Sequence, residues 1–198
     1  MVILQQATLQ QLTALLNADN VIKLDKFKVP QEAIVPKFLL ELAIEQLSQE
    51  PMNCFWRSPR LIVVDKLIVG MCSFKNLPTV DGKVEIGYGI IPSQQKRGFA
   101  TQAVKLLLEE AFSVAEIKAI IAYTDSLNIS SQRVLEKNDF SKVGSKVDPE
   151  DGEVLVWQKT RECENILPSF CEAARYEASP LRHMRLTESP LCDPLKGC

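Results

Sequence analysis

The residues best suited to chemistry lie in one short stretch, from Gly87 to Thr101. An apolar strand pattern there runs into Pro92, which lacks an N–H and ends strand pairing, and then into a turn that contains Gly98. Glycine permits a backbone conformation that other residues avoid, and it keeps a Cβ away from a ligand. A helical pattern follows, and the free N–H groups of a helix's first turn attract anions. The stretch therefore predicts a site for a phosphate or pyrophosphate group.

The helix after this turn is predicted from the spacing of its apolar residues. They recur at i, i+3, i+4 and i+7, as one buried helix face requires. They are Ala100, Ala103, Val104, Leu107, Leu108, Ala111 and Phe112. This face fixes the helix against a core, so its first N–H groups lie beside the turn.

Two motifs in this order resemble those of the GNAT acyltransferase superfamily. Gln95-x-x-Gly98-x-Ala100 is similar to the acyl-CoA pyrophosphate loop, which reads Gln/Arg-x-x-Gly-x-Gly/Ala in the family. The segment from Asn128 to Phe140 resembles the family's Asn-x-x-Ser/Ala-x-x-x-x-x-Lys-x-Gly-Phe signature, with Asp139 at the glycine. Aspartate adopts the left-handed conformation better than most residues, so we expect the turn to survive.

The resemblance implies acetyl-CoA as cosubstrate and no metal. In the family, loop amides hold the pyrophosphate, and the pantetheine arm lies where two strands diverge. The cofactor-binding residues implied here are Ile90, Ile91, Gln95, Lys96, Arg97, Gly98, Phe99, Ala100, Thr101, Asn128 and Ser131. Lys96 and Arg97 either add charge at the rim or are solvated surface. Asn128 either contacts the pantetheine arm or caps the next helix, and the two roles are compatible.

Glu85 is the candidate general base, because the family often places an acidic residue on the strand before the loop. The alternative is a solvated carboxylate on an outer position of that strand. As general acid the family frequently uses a tyrosine on the helix after Asn128, at a position that is Leu135 here. This departure resembles the RimJ/RimL branch, which acetylates protein N-termini.

The missing tyrosine leaves three options for the general acid: Ser131, Tyr123 or direct departure of the thiolate. Tyr88 is equally well explained as an aromatic that packs on the sheet. The first 160 residues contain no histidine, since the only one is His183, and this excludes Ser-His-Asp and Cys-His arrangements there. Transfer from an activated thioester needs neither a metal nor a protein nucleophile, only binding, orientation and proton management.

The elements that must position these residues predict an α/β (α+β) fold. Strands are expected at 1–8, 61–64, 67–74, 84–91, 118–124, 140–143 and 153–159, and helices at 9–16, 37–49, 100–113 and 128–138. By resemblance, the architecture is a GNAT-like twisted mixed sheet of six to seven strands flanked by helices. It is splayed between the fourth strand, which ends at Ile91, and the fifth strand, which runs from Lys118 to Thr124.

Domain organisation and partners follow from composition. Residues 1–160 are predicted to form one GNAT-like N-acetyltransferase domain, and the proline- and cysteine-containing residues 161–198 a tail that is poorly ordered or packed on a partner. The net charge of −2 gives no electrostatic reason to expect nucleic acid, and no apolar run could span a membrane. We expect a cytoplasmic monomer or homodimer. The six cysteines lack Cys-x-x-Cys pairs and are expected to be reduced.

The function implied by the resemblance is an acetyl-CoA-dependent N-acetyltransferase. A primary amine, on a protein N-terminus or a small molecule, would attack the thioester directly. One alternative is a CoA-binding sensor without turnover, and another is a nucleotide-binding protein that uses the loop for ATP. The acceptor site is expected between the early helices and Met52–Arg57, with Phe55 and Trp56 in the core rather than against a ligand.

Overall fold

The computed structural model describes residues 1–17, 23–148 and 152–161. The predicted tail therefore lies outside the described residues, except for Arg161. The Arg161 guanidinium donates hydrogen bonds to the carbonyls of Val114 and Ile117, at 2.6 and 2.9 Å. In the part of the chain that the structure describes, no helix combines the length and the apolar character that a membrane crossing needs.

The described residues form nine strands and five α-helices. In chain order they are β1 Val2–Gln6, α1 Leu9–Leu16, β2 Lys23–Leu24, β3 Phe27–Lys28, α2 Lys37–Gln49, α3 Cys54–Arg57, β4 Arg60–Val64, β5 Leu67–Phe74, β6 Lys83–Ile90, α4 Phe99–Phe112, β7 Ala119–Asp125, α5 Ile129–Glu136, β8 Ser141–Asp148 and β9 Gly152–Thr160. The predicted elements are therefore confirmed, with bounds that differ by a few residues.

The strands form one mixed sheet in the order β1-β4-β5-β6-β7-β9-β8. Neighbours along this path are antiparallel, except that β6 and β7 run parallel. The prediction of six to seven strands is confirmed for the strands of five or more residues. The two-residue strands β2 and β3 are additional, and they join the sheet through one parallel pairing of β3 with β5.

A separate hydrophobic core lies on each face of the sheet. Side chains of α4 and α5 pack on one face with Ile62, Val69 and Val84. Side chains of α1 and α2 pack on the other face with their strand neighbours, such as Leu61 and Ile68. Alternate residues of β4 and β5 thus enter opposite cores, as the two-residue period of a strand requires. We call these faces the α4/α5 face and the α1/α2 face.

Local sequence explains where the helices begin. Thr8 and Gln11 form a reciprocal capping box that starts α1, at 3.0 and 3.1 Å. Asn128 caps α5, because its side-chain oxygen accepts a hydrogen bond from the Ser131 N–H at 3.0 Å. The α5 helix ends in a turn in which Asp139 has a φ of +59°. The left-handed conformation expected of Asp139 is therefore confirmed.

Arg60 joins the sheet to α4 from a fully buried position. Its Nε donates to Glu110 Oε2 at 2.9 Å, and its Nη1 donates to the carbonyls of Phe55 and Ser58 at 2.7 and 2.6 Å. Its guanidinium also lies 4.8 Å from the ring centroid of Phe74. The arginine therefore satisfies three acceptors with donors held in one planar guanidinium group.

We expect Arg60→Met to lower the free energy of unfolding by about 2 kcal/mol, because two carbonyls and a half-exposed carboxylate lose their donor. Arg60→Lys should recover only part of this loss, since an ammonium lacks the guanidinium fork. Urea unfolding of both variants beside the parent protein measures the effect. An unchanged midpoint for Arg60→Met would show that the network adds no net stability.

Candidate functional site

The sheet opens between β6 and β7. The two strands pair only where Lys83, Val84 and Glu85 lie beside Ala119, Ile120 and Ile121. Beyond this point β6 continues beside β5 as far as Ile90, and β7 continues beside β9 as far as Asp125, but the two no longer pair with each other. The predicted splay between the fourth and fifth long strands is therefore confirmed.

The backbone of β6 presents donors and acceptors to this gap. The Ile91 N–H and the Glu85 carbonyl both bond toward β5, at 2.9 and 2.8 Å. Successive residues of a strand direct their backbone groups to opposite edges, so Ile86, Tyr88 and Ile90 direct theirs toward the gap. Ile91, one of the predicted cofactor-binding residues, thus uses its N–H within the sheet.

The turn between β6 and α4 holds a run of free backbone donors. Among the described residues, none of the N–H groups from 96 to 101 donates to a protein acceptor. Lys96 has a φ of +60° and Gly98 a φ of +79°, so left-handed residues alternate with ordinary ones along the turn. Such alternation gathers N–H groups into a concave anion site, and the N-terminus of α4 adds its dipole.

The side chains of the turn brace it or face outward. Gln95 Nε2 donates to the Ile90 carbonyl at 3.0 Å, which ties the turn to the end of β6. Arg97 donates to Gln94 Oε1 at 2.6 Å and lies 5.3 Å from the Phe99 ring centroid. Apart from its own chain neighbours and the adjoining helix backbone, a Cβ at Gly98 would have no protein atom within 4 Å, so the space over this glycine is open.

The gap and the turn border a cleft of about 910 Å³. We call this cavity the main cleft. Of the predicted site residues it is lined by Glu85, Ile90, Ile91, Gln95, Tyr123, Asn128 and Ser131. Lys96, Arg97, Gly98, Phe99, Ala100 and Thr101 are not among the lining residues and lie in the adjoining turn and first turn of α4. The structure therefore brings the predicted residues to one region.

Glu85 lies half-buried on the α1/α2 side of β6. The next residues on that side are Gly87 and Gly89, and a Cβ at Gly89 would meet nothing within 4 Å. No side chain of β6 therefore separates Glu85 from the open part of the main cleft, but the Lys75 side chain lies over Gly87, with its Cε 2.7 Å from the position of a Cβ there. Burial raises the pKa of the Glu85 carboxyl, while the nearby ammonium groups of Lys75 and Lys146 oppose this rise.

Tyr123 lines the same cleft from β7. Its position two residues after Ile121, the partner of Glu85, puts it on the α1/α2 side of the sheet. The Lys146 Nζ lies 3.6 Å from the Tyr123 ring centroid and 3.8 Å from Asp148 Oδ2. Charged side chains of β8 thus reach the cleft on the side of Glu85.

Ser131 lies half-buried in the first turn of α5, where it lines the cleft. The Tyr88 hydroxyl lies 2.7 Å from Ser131 Oγ and 3.1 Å from the Ser131 carbonyl oxygen. Tyr88 packs against the core of the α4/α5 face, so this pair lies on the opposite face from Glu85. Burial raises the pKa of Tyr88 to about 12, and its phenol is therefore protonated at neutral pH.

Three further outcomes concern residues weighed from the sequence. Leu135, at the position of the family's tyrosine, is fully buried and has no access to the cleft. Phe55 and Trp56 pack on Phe74, with ring centroids 6.0 and 4.8 Å from it, so both are partly buried against the core, as predicted, and neither lines the main cleft. The contact between Tyr88 and Ser131 has no sequence signal, since the residues are 43 positions apart.

Comparisons with known proteins agree with this geometry. A family model described as an acetyltransferase (GNAT) domain matches residues 6–141. An uncharacterized N-acetyltransferase, p20, of Bacillus licheniformis is 30% identical over 77 residues, which are 39% of this chain and 43% of that protein. The chain thus spans less than half the length of this curated relative in the match.

Solved structures share the fold at low identity. The aminoglycoside acetyltransferase AAC(6')-Ib in complex with coenzyme A is 21% identical, with a TM-score of 0.58 over 81% of this chain and 95% of that one. The ribosomal L7/L12 α-N-protein acetyltransferase RimL in complex with coenzyme A is 16% identical, with a TM-score of 0.61 over 80% of this chain and 93% of that one.

Proposed function

Because the chain belongs to the GNAT acetyltransferase family, we propose that it is an acetyl-CoA-dependent N-acetyltransferase that acts on a primary amine. One observation carries this proposal. The free N–H groups of residues 96–101 adjoin a gap in the sheet that opens into the same cleft as Glu85. A pyrophosphate on these amides would leave its pantetheine arm beside the gap, with the thioester directed toward the carboxylate.

In the proposed reaction the chain binds, orients and moves two protons. The amides of residues 96–101 hold the pyrophosphate, and the gap-facing backbone of Tyr88 and Ile90 holds the pantetheine amides. The neutral amine attacks the thioester carbonyl carbon, and Glu85 takes the proton that the nitrogen loses as the C–N bond forms. The C–S bond breaks, its electron pair stays on sulfur, and Ser131 supplies the proton that makes the thiol. The product amide and CoA then leave.

The general acid is assigned to Ser131 rather than to Tyr123 because of the side on which each residue lies. Tyr123 shares the Glu85 side of the sheet and carries the Lys146 ammonium on its ring. Ser131 lies on the other side, near the turn that would hold the donor, and it has Tyr88 as a hydrogen-bond partner.

Asn128 offers a further contact for the donor. Its Oδ1 caps α5, while its Nδ2 donates to no acceptor among the described residues. The side-chain NH2 group is therefore left for the pantetheine arm.

We propose a protein N-terminus, rather than a polycationic small molecule, as the acceptor. Among the described residues, the Asp, Glu, Lys and Arg side chains that line the main cleft are three cations and three anions: Arg57, Lys75, Lys146, Glu85, Asp125 and Asp148. A site for a polycation would need an excess of anions. Apolar residues of α2, such as Leu39 and Leu42, line the cleft as well and suit the side chains of a peptide. The cytoplasm and a monomer or homodimer remain the proposed setting.

We expect acetyl-CoA and a peptide with a free N-terminus to yield an acetylated peptide. The acetylated peptide should be measured by mass rather than with a thiol reagent, because the chain itself has six cysteines. The same peptide with a blocked N-terminus is the matched control, and a polyamine and an aminoglycoside complete the panel.

Two outcomes would contradict this function. If calorimetry shows CoA binding and no acetylated product forms, the protein is a CoA-binding sensor without turnover. The buried Leu135 supports this alternative, because it replaces the tyrosine that the family usually employs as the acid. ATP that competes for the site as well as CoA does indicates a nucleotide-binding protein. Acetylation of the aminoglycoside alone would retain the enzyme but reject the protein N-terminus as acceptor.

A further inference from the structure

The Tyr88 hydroxyl bridges the two sides of the gap in the sheet. Tyr88 belongs to β6, on one side, and Ser131 belongs to α5, which follows β7 on the other side. The phenol oxygen contacts both the Oγ and the carbonyl oxygen of Ser131, and it has no other hydrogen-bond partner among the described residues. Both residues line the main cleft. The pair is therefore a polar contact at the edge of the proposed channel for the donor.

The direction of these hydrogen bonds decides what Ser131 can do. A phenol has one proton, and a carbonyl oxygen can only accept. If Tyr88 donates to the carbonyl, the serine proton can be given to the phenol oxygen and is withheld from the cleft. If Tyr88 donates to Ser131 Oγ, the serine proton is free to point at a group in the cleft. The second arrangement is the one that a proton donor requires.

A serine hydroxyl alone is a poor acid, because loss of its proton leaves an alkoxide. Tyr88 removes this difficulty when it donates to Ser131 Oγ. As the serine proton moves to the departing sulfur, the phenol proton can move to Oγ, so that the charge rests on a phenolate. Burial raises the pKa of Tyr88 to about 12, yet this phenol is still a stronger acid than an aliphatic alcohol, so the phenolate is a more stable anion than the serine alkoxide. Water then reprotonates the phenolate.

We propose that Tyr88 is a positioning residue that acts through Ser131, supplying the proton that Ser131 passes to the thiolate of CoA. In this step the sulfur–hydrogen bond forms as the Ser131 oxygen–hydrogen bond breaks, and the latter is renewed from Tyr88. The inference rests on the proposed acetyltransferase activity for its chemistry. The contact itself is independent of that activity, and this allows the two to be tested separately.

The kinetic test is a double-mutant cycle of Tyr88→Phe and Ser131→Ala. Tyr88→Phe keeps the ring that packs on the core and removes only the hydroxyl. We expect each variant to lower kcat about 10-fold, below the usual range for a general acid because a thiolate is a good leaving group. The double variant should lose no more than either single variant, and Tyr88→Phe alone should leave the CoA dissociation constant unchanged. Losses that multiply in the double variant would overturn the proposal.

A second test needs no turnover. In Ser131→Cys, a thiol takes the place of the hydroxyl. The pKa of this thiol is obtained from the rate of its alkylation at different pH values. The alkylation is measured by mass on the proteolytic peptide that contains residue 131. A donor at Tyr88 stabilises the thiolate, so adding Tyr88→Phe should raise this pKa by about one unit. Equal pKa values would overturn the proposal even if the protein acetylates amines. A shift without acetylation of any amine would instead reject the proposed function alone.

Discussion

Glu85→Gln is expected to lower kcat/KM for the amine by about 100-fold, because the variant loses the base that removes the amine proton. The substitution keeps the shape of the side chain, and Glu85 lies on the opposite side of the sheet from the α4/α5 core on which Tyr88 packs. The dissociation constant of CoA should therefore stay at the parent value. Steady-state rates and CoA calorimetry on the variant measure the two quantities.

The pH dependence identifies the group. Burial raises the pKa of Glu85, and a base acts only when it is deprotonated, so the rate should rise with pH through that raised pKa. The amine's own ionisation affects the parent and the variant alike, so their rate ratio isolates Glu85. Lys75 holds this pKa down, so Lys75→Met should move the rise to higher pH.

Glu109→Gln, an exposed carboxylate on α4, is the matched control and should keep the parent rate. A rate ratio between parent and Glu85→Gln that does not change with pH would contradict the role of Glu85 as the base. Loss of CoA affinity in Glu85→Gln would instead show that the carboxylate supports the donor site.

Gly98→Val is expected to weaken CoA binding at least 30-fold, which corresponds to about 2 kcal/mol. Gly98 has a φ of +79°, and a β-branched residue at that φ is strained. The protein itself has room for a Cβ here, since no atom beyond the adjacent backbone and neighbouring residues lies within 4 Å of its position. The predicted clash is therefore with the bound pyrophosphate, and calorimetric titration with CoA measures it.

Gly152→Val separates backbone strain from loss of the ligand site. Gly152 has a φ of +73°, and a Cβ there also meets nothing within 4 Å, but it lies at the start of β9 rather than in the turn. Thermal melts should show similar destabilisation of the two valine variants, while only Gly98→Val loses CoA affinity. Equal CoA affinity in both would refute the assignment of residues 96–101 to the pyrophosphate.

The sequence predicts most of the fold because its signals are local. The apolar period of α4, the capping residues Thr8 and Asn128, and the glycine of the turn each act within a few residues. The strands β2 and β3 escape prediction because a two-residue strand has no alternation to recognise. Their existence depends on pairing, including a parallel contact between Lys28 and Leu67 that only the folded chain provides.

The site is predictable in its parts but not in its arrangement. The motif names Gly98 and Asn128, and strand alternation gives Glu85 a face of β6, but which core that face meets depends on the whole sheet. The pairing of Tyr88 with Ser131 depends on the approach of α5 to β6 across the gap. A tyrosine in an apolar strand has the same sequence pattern whether its hydroxyl is bonded or not.

The gap between β6 and β7 is an opening with a mouth on each face of the sheet. The turn before α4 lies by one mouth, and the side chains of α2 and β8 surround the other. Substitutions around the second mouth can therefore change which amine enters without disturbing the amides of the first. The donor site and the acceptor site therefore lie on separate faces of the sheet. A protein that keeps the residues of the donor face can acquire a new amine substrate through a few substitutions on the acceptor face.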